Sequence, residues 1–191
     1  MSTRGNDRRS RAAVLRRHGI RALTAGAALT ASLLAIAGPA HAATNVSVSG
    51  TVLEVVAGSA SDDLVVFVSG PRLIVTNTAD TVAGAAPCVG LSANQVACPS
   101  AGISVISVVT GKGDDRLRNR TALRSKVDLG PGTDAFLGGL GSDIAFGGDG
   151  DDRLSGQAGN DTLVGEAGTD SAAGGDGTDR CDAEFETLCE S

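Results

Sequence analysis

At 191 residues the chain suits one domain or two small ones, and 22 Asp and Glu against 16 Lys and Arg leave it a formal net charge of −6. It has no Trp or Tyr, and its two histidines, His18 and His41, both fall in a leader-like first segment. Beyond residue 42 nothing can serve Ser-His-Asp or Cys-His chemistry or a His-ligated zinc site, and Phe67, Phe136, Phe146 and Phe185 are too few to stack a sugar beside a carboxylate pair. No enzyme is expected.

Residues 1–42 read as a secretory signal peptide. Seven Arg (Arg4, Arg8, Arg9, Arg11, Arg16, Arg17, Arg21) precede an apolar stretch from Ala22 to Ala37. Gly38-Pro39-Ala40-His41-Ala42 then places small residues at −3 and −1 of a cut after Ala42. The apolar stretch is short for a membrane anchor. Arg16-Arg17 partly matches a twin-arginine signal, but Gly19 stands where that motif prefers a bulky apolar residue, so the general secretory route is favoured. The mature chain would begin at Ala43 and carry no membrane span.

Residues 43–110 predict a β-rich region. Val46–Ser49, Thr51–Val55 and Ile103–Val108 alternate apolar with polar side chains, and Leu64–Val68 and Arg72–Thr76 are further strands. A small sandwich and extra solenoid coils are both compatible with this pattern. A cap continuous with a C-terminal solenoid is preferred, because a solenoid must cover its hydrophobic end.

Residues 111–128 form a basic connecting segment. Lys112, Arg116, Arg118, Arg120, Arg124 and Lys126 gather there, read as a solvated balance to the acidic end rather than as a docking patch. Gly111–Leu117 looks like a lone copy of the nonapeptide that recurs from residue 129 onward. Asp115 lies nineteen residues before Asp134, and a plain turn is expected there rather than a metal site.

Residues 129–182 repeat with period nine: LGPGTDAFL, GGLGSDIAF, GGDGDDRLS, GQAGNDTLV, GEAGTDSAA, GGDGTDRCD. Position 4 is always Gly (Gly132, Gly141, Gly150, Gly159, Gly168, Gly177). Position 6 is always Asp (Asp134, Asp143, Asp152, Asp161, Asp170, Asp179). A disordered Gly/Asp linker has no reason to hold such a phase. The template G-G-x-G-x-D-x-U-x, with U a large apolar residue, is a calcium-binding nonapeptide. Ca²⁺ takes six to eight oxygens, which a Gly-rich turn supplies from carbonyls and Asp supplies with charge. Gly lets the turn visit positive φ and bring backbone close to the ion. One turn with its short strand is half a coil, so turns two repeats apart stack on one edge. Ions between stacked turns would join Asp134 with Asp152, Asp152 with Asp170, Asp143 with Asp161, and Asp161 with Asp179, about four in all.

These repeats resemble the repeats-in-toxin (RTX) family, also called haemolysin-type calcium-binding repeats. More loosely, the β-rich first part, the cysteine pair and the closing Cys-Glu tail resemble small secreted calcium-binding repeat proteins of actinobacteria. The resemblance implies calcium held at the Gly and Asp positions named for the repeats and an all-β fold, a right-handed parallel β-roll or β-helix solenoid with a β-rich N-terminal cap. Ala145 and Ala172 depart from the family at position 8, where the interior should be thin and the coils weaker.

Cysteines in an exported chain read as disulfides. Cys88 and Cys98 enclose a nine-residue loop, and Cys181 and Cys189 enclose seven residues at the roll's end; the two other pairings of these four remain available. Residues 183–191 would close the roll as a C-terminal cap. Two basic residues against fifteen acidic over 128–191 make nucleic acid a poor partner and calcium a good one. The expected function is a secreted or cell-surface calcium-binding protein that folds on binding the metal, structural or adhesive, its extracellular partner not legible. The alternative is a solenoid face that binds a polymer or ice, with calcium purely structural. A cytolysin fragment would need a long apolar segment after residue 42, which the sequence lacks.

Overall fold

A computed structural model describes residues 43–190; the signal-peptide reading of 1–42 falls outside them. The described residues form strands and turns, with no helix among them. In chain order the strands are β1 (Thr44–Ser49), β2 (Val52–Val56), β3 (Asp63–Ser69), β4 (Arg72–Asn77), β5 (Val82–Gly84), β6 (Val89–Ser92), β7 (Gln95–Pro99), β8 (Val105–Val109) and β9 (Arg116–Arg120). They continue with β10 (Arg124–Asp128), β11 (Ala135–Leu137), β12 (Asp143–Asp149), β13 (Arg153–Ala158), β14 (Thr162–Ala167), β15 (Ser171–Asp176), β16 (Arg180–Asp182) and β17 (Phe185–Thr187).

Two sheets result. One runs β16-β14-β12-β10-β8-β2-β1-β5, the other β17-β15-β13-β11-β9-β3-β4-β7-β6. From β8 onward, successive strands alternate between the sheets and each pairs in parallel with the strand two elements later. This is the winding of a parallel β-solenoid of about five turns. Within the repeats the rise per coil is eighteen residues: Ile144 faces Thr162 and Arg153 faces Ser171. Parallel strands with short turns arise from the repeat itself, because Gly and Asp punctuate every nine residues and leave room for only a short extended run.

The region 43–110 continues both sheets rather than forming a separate sandwich. β2 lies parallel to β8, and β3 lies parallel to β9. The antiparallel hairpins β1–β2 and β3–β4, with β7 and β6 beyond β4, cover that end. The basic segment is likewise more than a connection: β9 and β10 supply strands to both sheets. Leu117, Asn119, Ser125 and Val127 point inward, while Arg116, Arg120, Arg124 and Lys126 stay exposed. Here the coil is nineteen residues long, with Arg116 facing Ala135 and Val105 facing Arg124. The Asn119–Leu123 turn takes up the extra residue, and Asn119 Oδ1 holds it by accepting from the Thr121 amide and hydroxyl.

The core is a single file of inward side chains. Leu117, Phe136, Leu154 and Ala172 come from one sheet, and Ile106, Val108, Val127, Ala145 and Leu163 from the other. Ala145 sits in register between Val127 and Leu163 and is fully buried, as is Ala172 beside Leu154. Cys88 is bonded to Cys98, and Cys181 to Cys189. Cys181 takes the inward position opposite Leu163 on β16, so its bridge ties the C-terminal tail to the last coil.

Candidate metal centre

The six repeat aspartates stand in two columns, one on each edge of the roll, each 0–2% exposed. In the first column the Asp134 amide donates to Asp152 Oδ1 and the Asp152 amide to Asp170 Oδ1, both at 2.8 Å. In the second the Asp143 amide donates to Asp161 Oδ1 at 2.7 Å and the Asp161 amide to Asp179 Oδ1 at 2.8 Å. The partners are those expected from the eighteen-residue coil. One carboxylate oxygen is thereby consumed in joining turns.

The other oxygen is what makes the site. Oδ2 of Asp134, Asp152, Asp161, Asp170 and Asp179 is buried and has no hydrogen-bond partner; Oδ2 of Asp143 accepts from the Gly139 amide at 3.0 Å. Arg118–Asp63 is the ion pair among the described residues, so no Lys or Arg offsets these charges. A buried carboxylate with an idle oxygen is costly unless a cation or a proton meets it. The geometry therefore fits a hard cation. No three Asp, Glu, His or Cys side chains converge among the described residues, so an ion here would take most of its oxygens from backbone carbonyls.

The glycines of the repeat bring that backbone close. Position 4 stacks in two rows, Gly132, Gly150 and Gly168 on one edge and Gly141, Gly159 and Gly177 on the other, each two repeats from the next. Positive φ is not shared by all six: Gly132 and Gly141 lie outside the left-handed region. What is common to the row is contact, because a Cβ on any of them would strike the backbone of the preceding coil. At position 1, a Cβ on Gly147 would overlap Asp152 Oδ2, which shows that carboxylate turned back over its own turn.

Both columns outrun the six repeats. The first continues to Asp115, whose amide donates to Asp134 Oδ1 at 2.7 Å, and on to Asp62, whose amide donates to Asp115 Oδ1 at 2.7 Å. It ends at Glu184, whose Oε2 takes the Asp170 amide at 2.8 Å. The second starts at Ser125, which donates its amide and hydroxyl to Asp143 Oδ1, and ends at Glu190, whose Oε2 takes the Asp179 amide. The turn at Asp115, expected to be a plain one, is thus built like the repeat turns. Sequence reasoning missed Glu184 and Glu190 because they come after Asp170 and Asp179 by fourteen and eleven residues instead of eighteen.

Burial pushes the carboxyl of Asp134 up to about 7 and those of Asp152 and Asp161 to about 6, with neighbouring carboxylates in the columns adding to the rise. Asp143 is raised as well, again chiefly by burial. In the metal-free chain this sets the sign of the pH dependence. Unfolded, these groups lose their protons near 3.8; folded, they keep them to about 6–7, so stability falls as pH rises through that window. The chelator-treated chain should therefore hold more β signal at pH 5 than at pH 8. With saturating calcium the order should reverse, because the metal needs the deprotonated form. Far-UV dichroism in chelator and thermal melts in calcium at the two pH values test both signs, and a metal-free chain with more β signal at pH 8 contradicts the burial of these carboxyls.

Residues 128–163 and 155–185 match the family described as RTX calcium-binding nonapeptide repeat (4 copies). No curated protein and no solved structure matches the chain. The segment 128–185 therefore carries RTX calcium-binding repeats, wound as the coils of a parallel β-solenoid.

Proposed function

We propose that this is an exported calcium-binding structural protein whose roll folds as calcium enters the turns, serving a structural or adhesive purpose outside the cell. The idle, buried Oδ2 atoms in the matched repeats carry this reading. About four ions would sit between stacked turns, joining Asp134 with Asp152, Asp152 with Asp170, Asp143 with Asp161, and Asp161 with Asp179. Carbonyls around the position-4 glycines would complete each shell. Without cations, the fifteen acidic residues of 128–191 repel one another. With them, the charge is cancelled where it is most buried.

Two disulfides and an acidic surface suit the oxidising, calcium-rich exterior. The outward positions of β9, β11, β13 and β15 mix Arg116, Ala135, Arg153 and Ser171, which is no regular array for an ice lattice. Far-UV circular dichroism of the chelator-treated full chain, titrated with calcium, tests the reading. A cooperative gain of β signal is expected at roughly 10⁻⁴–10⁻³ M calcium, with no such gain from magnesium. A chain already folded in chelator and indifferent to calcium sinks it.

A further inference from the structure

We infer that the turn Ala57–Asp62 and the turn Thr110–Asp115 form a further cation site, in the N-terminal half and outside the matched repeats. The inference rests on the calcium-binding function proposed for the roll and extends it to the lone nonapeptide copy at Gly111–Leu117 and to a turn that carries no recognisable repeat. Folding supplies the frame that the sequence hides. Ala57-Gly58-Ser59-Ala60-Ser61-Asp62-Asp63-Leu64-Val65 runs in phase with the nonapeptide at position 2 (Gly58), position 6 (Asp62) and position 8 (Leu64, fully buried). β3 lies in parallel register with β9, Leu64 facing Leu117, so this turn stacks directly on that of Asp115.

Each element of a repeat site recurs. The Asp62 amide donates to Asp115 Oδ1 at 2.7 Å, the link that joins every pair of repeat turns. A Cβ on Gly111 would overlap Gly58 O, and one on Gly113 would lie 2.7 Å from the Ala60 carbonyl carbon; Gly150 meets Gly132 in the same way. Asp62 is 3% exposed and Asp115 1%, and Oδ2 of each is buried without a partner. The hydroxyl of buried Thr110, at position 1, donates to Leu129 O at 2.6 Å, which leaves its lone pairs free, and adds an oxygen where the repeats have bare glycine. Asn77 closes the column: its Nδ2 donates to Asp62 Oδ1, taking the part that a preceding turn's amide plays elsewhere. Two buried carboxylates, a hydroxyl and facing carbonyls with no basic side chain among them are an oxygen cage for a divalent cation such as calcium.

Calcium stoichiometry of the full chain, measured by equilibrium dialysis and by titration calorimetry, tests the site. Asp62→Asn keeps the Oδ1 acceptor for Asn77 and removes the charge, and it should bind one ion fewer than the parent while the calcium-induced dichroism of the roll persists. Where Asp62→Asn fails to fold, Thr110→Val serves instead, with calcium affinity of one site expected to fall about tenfold. A parent chain that binds calcium, with both variants binding the same number at the same affinity, overturns the inference and leaves the roll intact. A parent chain that binds none overturns the calcium reading itself.

Discussion

Gly150→Ala is expected to weaken the calcium-bound roll more than any other glycine substitution in its row. Gly150 has φ +128°, outside the region a side chain tolerates, and its missing Cβ faces the oxygen and carbonyl carbon of Gly132. Neither obstacle can swing aside as a side chain would, because both belong to the neighbouring coil's main chain. Ala would force apart the row Gly132–Gly150–Gly168 and with it the pairing of β11 with β13. The expected cost is about 3 kcal/mol or more, which in a chain of this size lowers the melting midpoint in saturating calcium by about 10 °C. Gly90→Ala is the control, since a Cβ there meets nothing within 4 Å; it should change the midpoint little. Equal effects from the two would show that the turns do not stack in backbone contact.

Asp152→Asn and Asp152→Ala should separate the two jobs of one carboxylate. Oδ1 receives the Asp134 amide and Oδ2 is idle. Asn keeps the acceptor and resembles the protonated acid, so in chelator at pH 7 the variant should show no less β signal than the parent. Calcium should then stabilise it less, by about 1.4 kcal/mol for each site lost at a calcium concentration ten times the dissociation constant. Ala removes both oxygens, leaves a buried amide unpaired, and should cost the calcium-bound roll a further 1–3 kcal/mol, roughly. Denaturant melts of parent and both variants in calcium, with far-UV dichroism in chelator, check these expectations. An Asn variant with an undiminished calcium gain would remove Asp152 from the metal shell.

The roll is legible in the sequence because its constraint is local and recurs. A close backbone approach admits only Gly at position 4, a charged oxygen is needed at position 6, and the coil length fixes their interval. Columns and stacking partners come from counting, whereas counting left three cysteine pairings open and the structure has Cys181 bonded to Cys189. Where the interval is broken, counting fails. Ser125 and Val127 fill positions 6 and 8 of a coil, but without glycine before them they look like a connecting segment. The turn at Asp62 has Ala60 at position 4, and the strands β3 to β8 separate it from Asp115, so only three-dimensional pairing reveals the phase. Strands β1 to β4 are visible as alternation at Val46–Ser49 and Thr51–Val55 and as the runs Leu64–Val68 and Arg72–Thr76. Their partners are not, because β3 finds β9 across some fifty residues and no local signal spans that distance.

The columns also have a direction. At every step from Asp62 to Asp179 the amide belongs to the earlier turn and the carboxylate to a later one. Each turn is a clasp whose hook arrives further along the chain, and the last two hooks are Glu184 and Glu190, the second anchored beside the bridged Cys189. Loss of a hook opens the clasp before it and not the one after it. A carboxylate lost at Glu184 or Glu190 therefore strands the amide of a repeat turn, whereas one lost at Asp62 strands none.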